Sequence, residues 1–218
     1  MLRTETIVSV PFDENTYLFW LDGRSDCVIV DPGMQPGKIV DVAEEHGLTP
    51  AAVLLTHGHS DHIFGNTRMK ERWPDCPLII GHGDAYKLTD SEGNLSAGFG
   101  MPFTTPPADQ TVAEGDTVEL AGLSIRVLET PGHSAGHVTF VLTHEEQQHA
   151  ISGDVIFKGG VGRTDFFDGN PQHLLESIHD KLFALEDDAV LYPGHGPTTT
   201  VAFEREHNPY ARMAAGQL

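Results

Sequence analysis

Four side chains that can bind metal ions fall within six residues, directly after an apolar run. The segment is His57-Gly58-His59-Ser60-Asp61-His62, and it follows residues 51–56. A continuous apolar run bounded by Pro50 is typical of a strand buried on both faces. Alternate strand residues point the same way, so His57 and His59 can hold one ion while Asp61 and His62 point elsewhere. The alternative, a histidine-rich surface turn, would stand alone in the chain.

Three further segments repeat this design, in which a predicted strand leads into a small-residue turn and then a metal-binding side chain. These segments end at His133, Asp154 and His195. Because strand ends converge at one edge of a sheet, five histidines and two aspartates fit two divalent cations. Imidazole and carboxylate suit zinc, iron or manganese, whereas calcium and magnesium prefer oxygen ligands alone. We therefore expect two metal ions, zinc in first place, with iron or manganese also compatible.

The rest of the pattern mixes strands and helices. Helices are predicted over residues 36–46, 60–73 and from Asn170-Pro171 onward, with a helical turn over 83–88. Strands are predicted over residues 51–56, 78–80, 118–120, 124–129, 138–143, 150–152 and 189–192. This order predicts an α/β (α+β) fold in which helices cover sheets, and the length favours one domain, 1–218.

The net charge of the chain limits the classes of partner that it can bind. Thirteen lysines and arginines stand against 32 aspartates and glutamates, a net charge of −19, which disfavours nucleic acid and anionic lipid. The sequence has no apolar run long enough to span a membrane and no basic stretch followed by an apolar core near its start. We therefore expect a cytoplasmic protein in which Cys27 and Cys76 are free thiols.

A long segment without periodicity covers residues 89–107 and carries Phe99, Met101 and Phe103. Two interpretations are open. The segment is either a surface loop that packs its apolar side chains into the core, or a loop that borders a substrate cleft.

The motif His57-x-His59-x-Asp61-His62, with His133, Asp154 and His195, resembles that of the metallo-β-lactamase-fold hydrolases. The resemblance runs from Asp31-Pro32-Gly33 to Pro193-Gly194-His195-Gly196, and it implies a four-layered αβ/βα sandwich. It implies one metal ion on His57, His59 and His133, and a second on Asp61, His62 and His195, with Asp154 bridging both.

Two residues are candidates to hold the metal ligands in place by hydrogen bonds. Asp31 resembles the family's first acidic motif, with a plain turn carboxylate as the alternative. His137 follows His133 by four residues, and it is either a hydrogen-bond donor to the metal site or a core histidine.

The loop after Asp154 narrows the family. Residues 157–166 read Phe-Lys-Gly-Gly-Val-Gly-Arg-Thr-Asp-Phe, which resembles the corresponding loop of the glyoxalase II enzymes and of the persulfide dioxygenases. Arg163 occupies the place where glyoxalase II has a basic residue for glutathione, and Lys158 is a second candidate. An arginine there can clamp a carboxylate, or it can pair with Asp165 or Asp168.

The resemblance implies hydrolysis of a glutathione thioester, such as S-lactoylglutathione, by a metal-bridging hydroxide that Asp61 helps to orient. One alternative is a persulfide dioxygenase with a single iron on His57 or His59, His133 and Asp154. Another is an ester or lactone hydrolase of the same fold. The chain departs from longer glyoxalase II enzymes at Pro197, where they have tyrosine, and because the sequence ends soon after Tyr210 we expect it to lack their C-terminal helical domain. It therefore resembles the compact bacterial subgroup.

Overall fold

The computed structural model describes residues 1–213 and has two main sheets. The first sheet has six strands in chain order: β1 (Leu2–Ser9), β2 (Glu14–Leu21), β3 (Asp26–Val30), β4 (Thr49–Leu55), β5 (Leu78–Gly81) and β6 (Gln110–Val112). Strands β1 to β3 pair antiparallel, and β3 to β6 pair parallel. The buried parallel strands have the apolar runs typical of strands covered on both faces.

The second sheet also has six strands, which lie in the order β14, β13, β10, β9, β8, β7. The strands that follow β6 are β7 (Thr117–Leu120), β8 (Leu123–Glu129), β9 (Val138–His144), β10 (Gln147–Gly153), β11 (Ile156–Phe157), β12 (Gly160–Val161), β13 (Val190–Pro193) and β14 (Thr199–Thr200). Strands β11 and β12 form a small separate pair in the loop after Asp154.

Helices cover the outer face of each sheet. The first sheet carries α1 (Pro36–Glu45), α2 (Ser60–Ile63), α3 (Asn66–Arg72) and a 3-10 helix (His82–Thr89), and the second carries α4 (Pro171–Glu176), a π-helix (Ser177–Leu182) and α5 (Val201–His207). Helix α6 (Pro209–Met213) contacts α5 and β12. The Asn170 side chain caps α4 by accepting hydrogen bonds from the backbone of Gln172 and His173. No helix within residues 1–213 has the length and apolar character needed to cross a bilayer.

Alternation along the strands separates the core into layers. In β2, Tyr17 and Phe19 point between the two sheets and pack with Phe140 and Tyr192 of the second sheet, whereas Leu18 packs under the outer helices. This period of two places one apolar layer between the sheets and one under each helical layer. The architecture confirms the predicted α/β class and the αβ/βα sandwich.

The prediction of one helix over residues 60–73 is wrong, because α2 ends at Ile63 and α3 begins at Asn66. Gly65 interrupts the helix where its backbone N–H donates to Pro32 O over 2.7 Å. A Cβ at Gly65 would lie 2.7 Å from the same oxygen, so the close approach requires glycine. The break keeps Asp61 and His62 in a single helical turn beside the strand ends.

Candidate metal centre

Six of the predicted ligands form two compact clusters at the strand ends. One cluster contains His57, His59 and His133, and the other contains Asp61, His62 and His195; within each, the nitrogen and oxygen atoms that can bind metal lie within 4.8 Å of one another. In the first cluster, His59 Nδ1 is 2.9 Å from His133 Nε2. The clusters match the two ligand sets that the resemblance implies, and their metal-binding role stays a prediction.

Asp154 lies between the two clusters. Its Oδ2 atom is 3.5 Å from His133 Nε2 and 3.5 Å from His195 Nε2, and its Oδ1 atom is 3.5 Å from His62 Nε2. Two ligand atoms that share one cation at tetrahedral angles, each about 2.1 Å from it, are about 3.4 Å apart. The separations therefore fit a carboxylate that contacts a cation in each cluster.

Several ligand atoms are buried without a hydrogen-bond partner. Within the described part of the chain, these atoms include Nε2 of His57 and His62 and Oδ1 of Asp154. Burying an unpaired polar atom destabilises a fold unless a partner is supplied. These atoms converge on the same small region, so divalent cations bound there would satisfy them, and the residues present fit such a group.

Hydrogen bonds at Nδ1 orient the rings of three histidines so that Nε2 faces the cluster. His62 Nδ1 donates to Asp31 Oδ2 (3.1 Å), His133 Nδ1 to Arg163 O (2.8 Å) and His195 Nδ1 to Phe12 O (3.0 Å). A ring held at Nδ1–H leaves the lone pair of Nε2 free to bind metal. The sequence did not identify Phe12, because its contribution is a backbone oxygen.

The ring of His57 is oriented through the hydroxyl group of Thr56. Thr56 Oγ1 donates to Asp31 Oδ2 over 2.7 Å, so it accepts from His57 Nδ1 at 3.1 Å. Asp31 Oδ1 also accepts from the backbone N–H of Thr56 over 2.7 Å. Asp31 therefore contacts His62 directly and His57 through Thr56.

The first cluster consists of neutral imidazoles. Burial lowers the pKa of His57 and His59 well below the ordinary value, and the positive charge of His62 lowers the pKa of His57 further. Burial also lowers the pKa of His133, although Asp154 opposes that shift. Neutral imidazole is the form that binds a cation.

Carboxylates surround the two histidines of the second cluster. Burial alone would lower the pKa of His62, but the carboxylates of Asp61, Asp154 and Asp31 outweigh burial and raise it to about 10. Asp154 and Asp61 likewise outweigh burial at His195 and raise its pKa to about 11. In the metal-free chain the two histidines therefore carry protons that balance the carboxylate charge.

A cavity of about 260 Å³ opens beside the clusters. Its polar wall is formed by ligand candidates of both clusters and by Asp154, and the remaining wall is largely aromatic. That wall contains Phe12, Leu95, Phe99, Phe157, Arg163 and Phe166. Phe99 belongs to the segment 89–107, so this segment borders the cavity. This agrees with the second of its two interpretations, a loop beside a cleft.

The structure separates the two predicted substrate-binding cations. Arg163 lines the cavity, lies 4.6 Å from the ring centre of Phe166 and forms two hydrogen bonds of 2.9 Å with Asp165. Lys158 instead lies over the ring of Phe203, 5.2 Å from its centre, and is not among the residues that line the cavity. The geometry therefore brings Arg163, but not Lys158, to the candidate site.

The model of the Metallo-beta-lactamase superfamily matches residues 10–195, a span that contains every residue of both clusters. The chain belongs to this superfamily. Hydroxyacylglutathione hydrolase GloC of Haemophilus influenzae is 34% identical over 212 residues, which cover 96% of this chain and 98% of that protein.

Two solved structures are also close to this superfamily member. BLEG-1, a B3 metallo-beta-lactamase, has a TM-score of 0.90 and 33% identity, with 96% of this chain and 99% of that chain covered. TTHA1623, solved in a di-iron-bound form, has a TM-score of 0.80 and 32% identity, with 94% and 99% covered. These neighbours differ in the activity or metal that they name, so the family is shown and the substrate is not.

Sequence reasoning missed a buried charged network in this superfamily member. Asp84 accepts hydrogen bonds from Gly58 N (2.9 Å), Ser134 Oγ (2.8 Å) and Gly136 N (2.9 Å). Its partner Lys87 is 3.1 Å away and, like Asp84, is completely buried. Asp84 thus joins the loop between His57 and His59 to the loop after His133. An Asp and a Lys three residues apart are typical of an exposed turn, so the sequence offered no signal.

His137 is a buried histidine that acts on Asp154 through the backbone. Its Nε2 atom accepts from Asp154 N at 3.2 Å, and its Nδ1 atom donates to Thr130 Oγ1 at 3.0 Å. Its ring stacks on that of His57, 5.0 Å between centres. His137 is therefore a satisfied core histidine, which accepts a hydrogen bond from the Asp154 backbone and donates none to the ligand candidates.

Proposed function

We propose that this chain is a metal-dependent hydrolase of glutathione thioesters. The observation that carries the proposal is Asp154, whose carboxylate lies 3.5 Å from ligand candidates of both clusters at the wall of the cavity that Arg163 lines. Membership of a superfamily of metallo-hydrolases supports the reaction class. The similarity to a hydroxyacylglutathione hydrolase over nearly the whole chain supports the substrate class.

His57, His59 and His133 would hold one divalent cation, and Asp61, His62 and His195 would hold the second, with Asp154 contacting both. A pair of such cations lowers the pKa of bound water toward 7, which supplies a nucleophile at neutral pH. Zinc fits the nitrogen and carboxylate donors, and iron and manganese are also compatible. The di-iron-bound form of TTHA1623 supports a two-ion arrangement.

Asp61 is the candidate for orienting the attacking water. Its carboxylate lies 3.4 Å from His195 Nε2, and 20% of its side chain is exposed at the cavity. Burial would raise the pKa of Asp61, but His62 and His195 outweigh it and hold the pKa below the ordinary value. The ionised carboxylate can accept a hydrogen bond from water and hold its oxygen toward the thioester carbonyl.

Arg163 is the candidate for binding the glutathione part of the substrate. Its guanidinium is largely exposed and already forms a two-pronged contact with the carboxylate of Asp165. Glutathione carries carboxylates of the same geometry, so one of them can replace Asp165. This positive charge at the cavity also offsets the repulsion between an anionic substrate and a chain of net charge −19.

A substrate panel tests the proposal against its rivals. Metal-loaded protein is assayed with S-lactoylglutathione, with a β-lactam such as nitrocefin, and with glutathione persulfide while oxygen uptake is recorded. The β-lactam arm is included because BLEG-1 has a TM-score of 0.90. The proposal expects kcat/KM for the thioester to exceed that for the β-lactam by at least about 100-fold, without oxygen uptake. Preferential β-lactam cleavage, or persulfide-dependent oxygen uptake, would replace it with the corresponding rival.

A further inference from the structure

A second cavity, of about 220 Å³, lies next to the metal centre and is almost entirely apolar. Met34, Phe64, Met101 and Phe103 line it but do not line the first cavity. None of the described residues in its wall carries a charge. We refer to it below as the apolar annex.

The apolar annex adjoins the cavity at the metal centre, and the two cavities share part of their walls. Phe12, Ser60 and Phe99 line both spaces, and Ser60 directly precedes Asp61. The rings of Phe12 and Phe99 are tilted against each other with their centres 5.6 Å apart. Arg163 lines the first cavity and not the annex. Arg163 and the annex are therefore two distinct parts of the surroundings of a molecule held at the metal centre.

The wall of the annex is held in place before any ligand binds. Asn94 Nδ2 donates to Phe103 O over 3.0 Å, and Phe103 N donates to Ser96 Oγ over 3.1 Å. Asn94 O also accepts from Ser60 N over 2.9 Å, which ties this loop to α2. These bonds use the hydroxyl of Ser96 within the protein.

Large apolar side chains are left exposed at the mouth of the annex. Phe99 is 50% exposed and Met101 is 54% exposed, and Phe64 packs edge-on against Phe103 with ring centres 5.3 Å apart. Apolar side chains that cluster at the rim of a cavity mark a surface that binds an apolar group. Methionine is flexible and adapts to chains of differing shape.

We propose that the apolar annex binds the acyl group of the substrate, so that the preferred thioesters carry an apolar acyl chain rather than a short polar one. This inference rests on the proposed function, because it assigns the acyl side of the same reaction. Hydrolysis breaks the C–S bond and forms a C–O bond to the oxygen of water. The water's protons go to the products, a carboxylic acid and the glutathione thiol. A hexanoyl chain extends from the carbonyl carbon into the annex while glutathione extends toward Arg163.

Hydrolysis of two glutathione thioesters that differ only in chain length tests the proposal. We expect kcat/KM for S-hexanoylglutathione to exceed that for S-acetylglutathione by about tenfold or more, since each methylene in an apolar pocket adds selectivity. Equal values, or a preference for the acetyl thioester, would overturn the annex assignment and leave thioester hydrolysis intact.

Binding of thioethers that cannot be hydrolysed separates the annex from the reaction. By calorimetry, S-hexylglutathione should bind about tenfold more tightly than S-methylglutathione, whether or not any thioester is cleaved. If no thioester is hydrolysed but this preference holds, the proposed function fails, and with it the acyl assignment, while the annex stands as a binding site for an apolar group. Equal affinities for the two thioethers would overturn the annex.

Two variants test whether the annex causes the preference for the hexyl group. Met34→Trp fills the annex from a residue that does not line the first cavity, and it should reduce the preference for the hexyl group to less than about threefold. Met101→Ala removes a rim contact and should lower the preference by a few-fold without a large change in packing. The matched control is Phe203→Ala, which removes an exposed phenylalanine on α5 and should leave the preference unchanged. A preference that survives both Met34→Trp and Met101→Ala would contradict the assignment.

Discussion

The carboxylate of Asp31 lies 3.1 Å from Nδ1 of His62, and both side chains are buried. Asp31 adopts a left-handed backbone conformation, with φ of 50°, directly after β3, while His62 follows the end of the neighbouring β4. A carboxylate at the end of β3 thus orients a ligand candidate that follows β4 in the chain. Carboxylates in this position fix the ring and increase its basicity as a ligand.

We expect Asp31→Ala to weaken metal binding at the second cluster by about 10-fold to 100-fold. The variant removes the acceptor for His62 Nδ1–H and leaves that ring free to turn. Zinc titration against a chelating dye, with the bound metal counted by mass spectrometry, measures the effect. Asp31→Asn keeps an acceptor oxygen and should retain part of the affinity. Unchanged affinity in Asp31→Ala would remove Asp31 from this role.

Metal binding at the second cluster should release about two protons near pH 7. The pKa of His62 is raised to about 10 and that of His195 to about 11, so both are protonated in the metal-free chain. A cation must displace both protons, and its apparent affinity therefore rises with pH by up to about 100-fold per unit. Calorimetric titrations in buffers of different ionisation enthalpy count the protons.

The first cluster provides the internal comparison for this prediction. The pKa values of His57, His59 and His133 are lowered below 6.5, so a cation there displaces few protons at pH 7. Two binding steps with the same pH dependence would contradict the assignment of charge to the two clusters.

Asp84→Asn should destabilise the metal-free protein by about 3 kcal/mol, because it leaves the buried charge of Lys87 with one carboxylate fewer. Asp84 also accepts from Gly58 N and Gly136 N, and an amide has only one accepting oxygen. Urea denaturation in the presence of a chelator measures the free energy of unfolding. The matched control is Asp26→Asn, whose exposed pair with Arg24 contributes less than about 1 kcal/mol. Equal effects of the two substitutions would contradict the structural role of Asp84.

Arg163→Ala should raise KM for S-lactoylglutathione by about tenfold or more and change kcat little, because a charge-assisted contact contributes about 1.5–3 kcal/mol to binding. Asp165→Asn should act in the opposite direction, since it frees Arg163 from its two contacts. Steady-state kinetics of both variants give the result. If KM stays unchanged in Arg163→Ala, Arg163 does not bind substrate.

The positions of the two clusters could be predicted because each ligand candidate follows a strand closely in sequence. His57 comes two residues after β4, Asp154 one residue after β10 and His195 two residues after β13. The local pattern was enough to place each side chain at a strand end. Strand β4 belongs to the first sheet and β10 and β13 to the second, so it is the packing of the two sheets that brings these ends together. The layer order came from the family resemblance, and the period of two in the strands agrees with it.

Features set by distant contacts could not be predicted. The break between α2 and α3 depends on the approach of Gly65 to Pro32, which no local pattern indicates. Strand β1 is largely exposed and therefore lacks the apolar signature of a strand. Lys158 and Arg163 are five residues apart in one loop, and only the fold shows that Lys158 lies against Phe203.

The central claim is that the two clusters hold cations that allow the cleavage of a glutathione thioester. The most direct test follows the thioester absorbance of S-lactoylglutathione while zinc is titrated into chelator-stripped protein. We predict no hydrolysis without metal and a rate that increases until about two ions are bound per chain. A fully metal-loaded protein that leaves the thioester intact would contradict the claim.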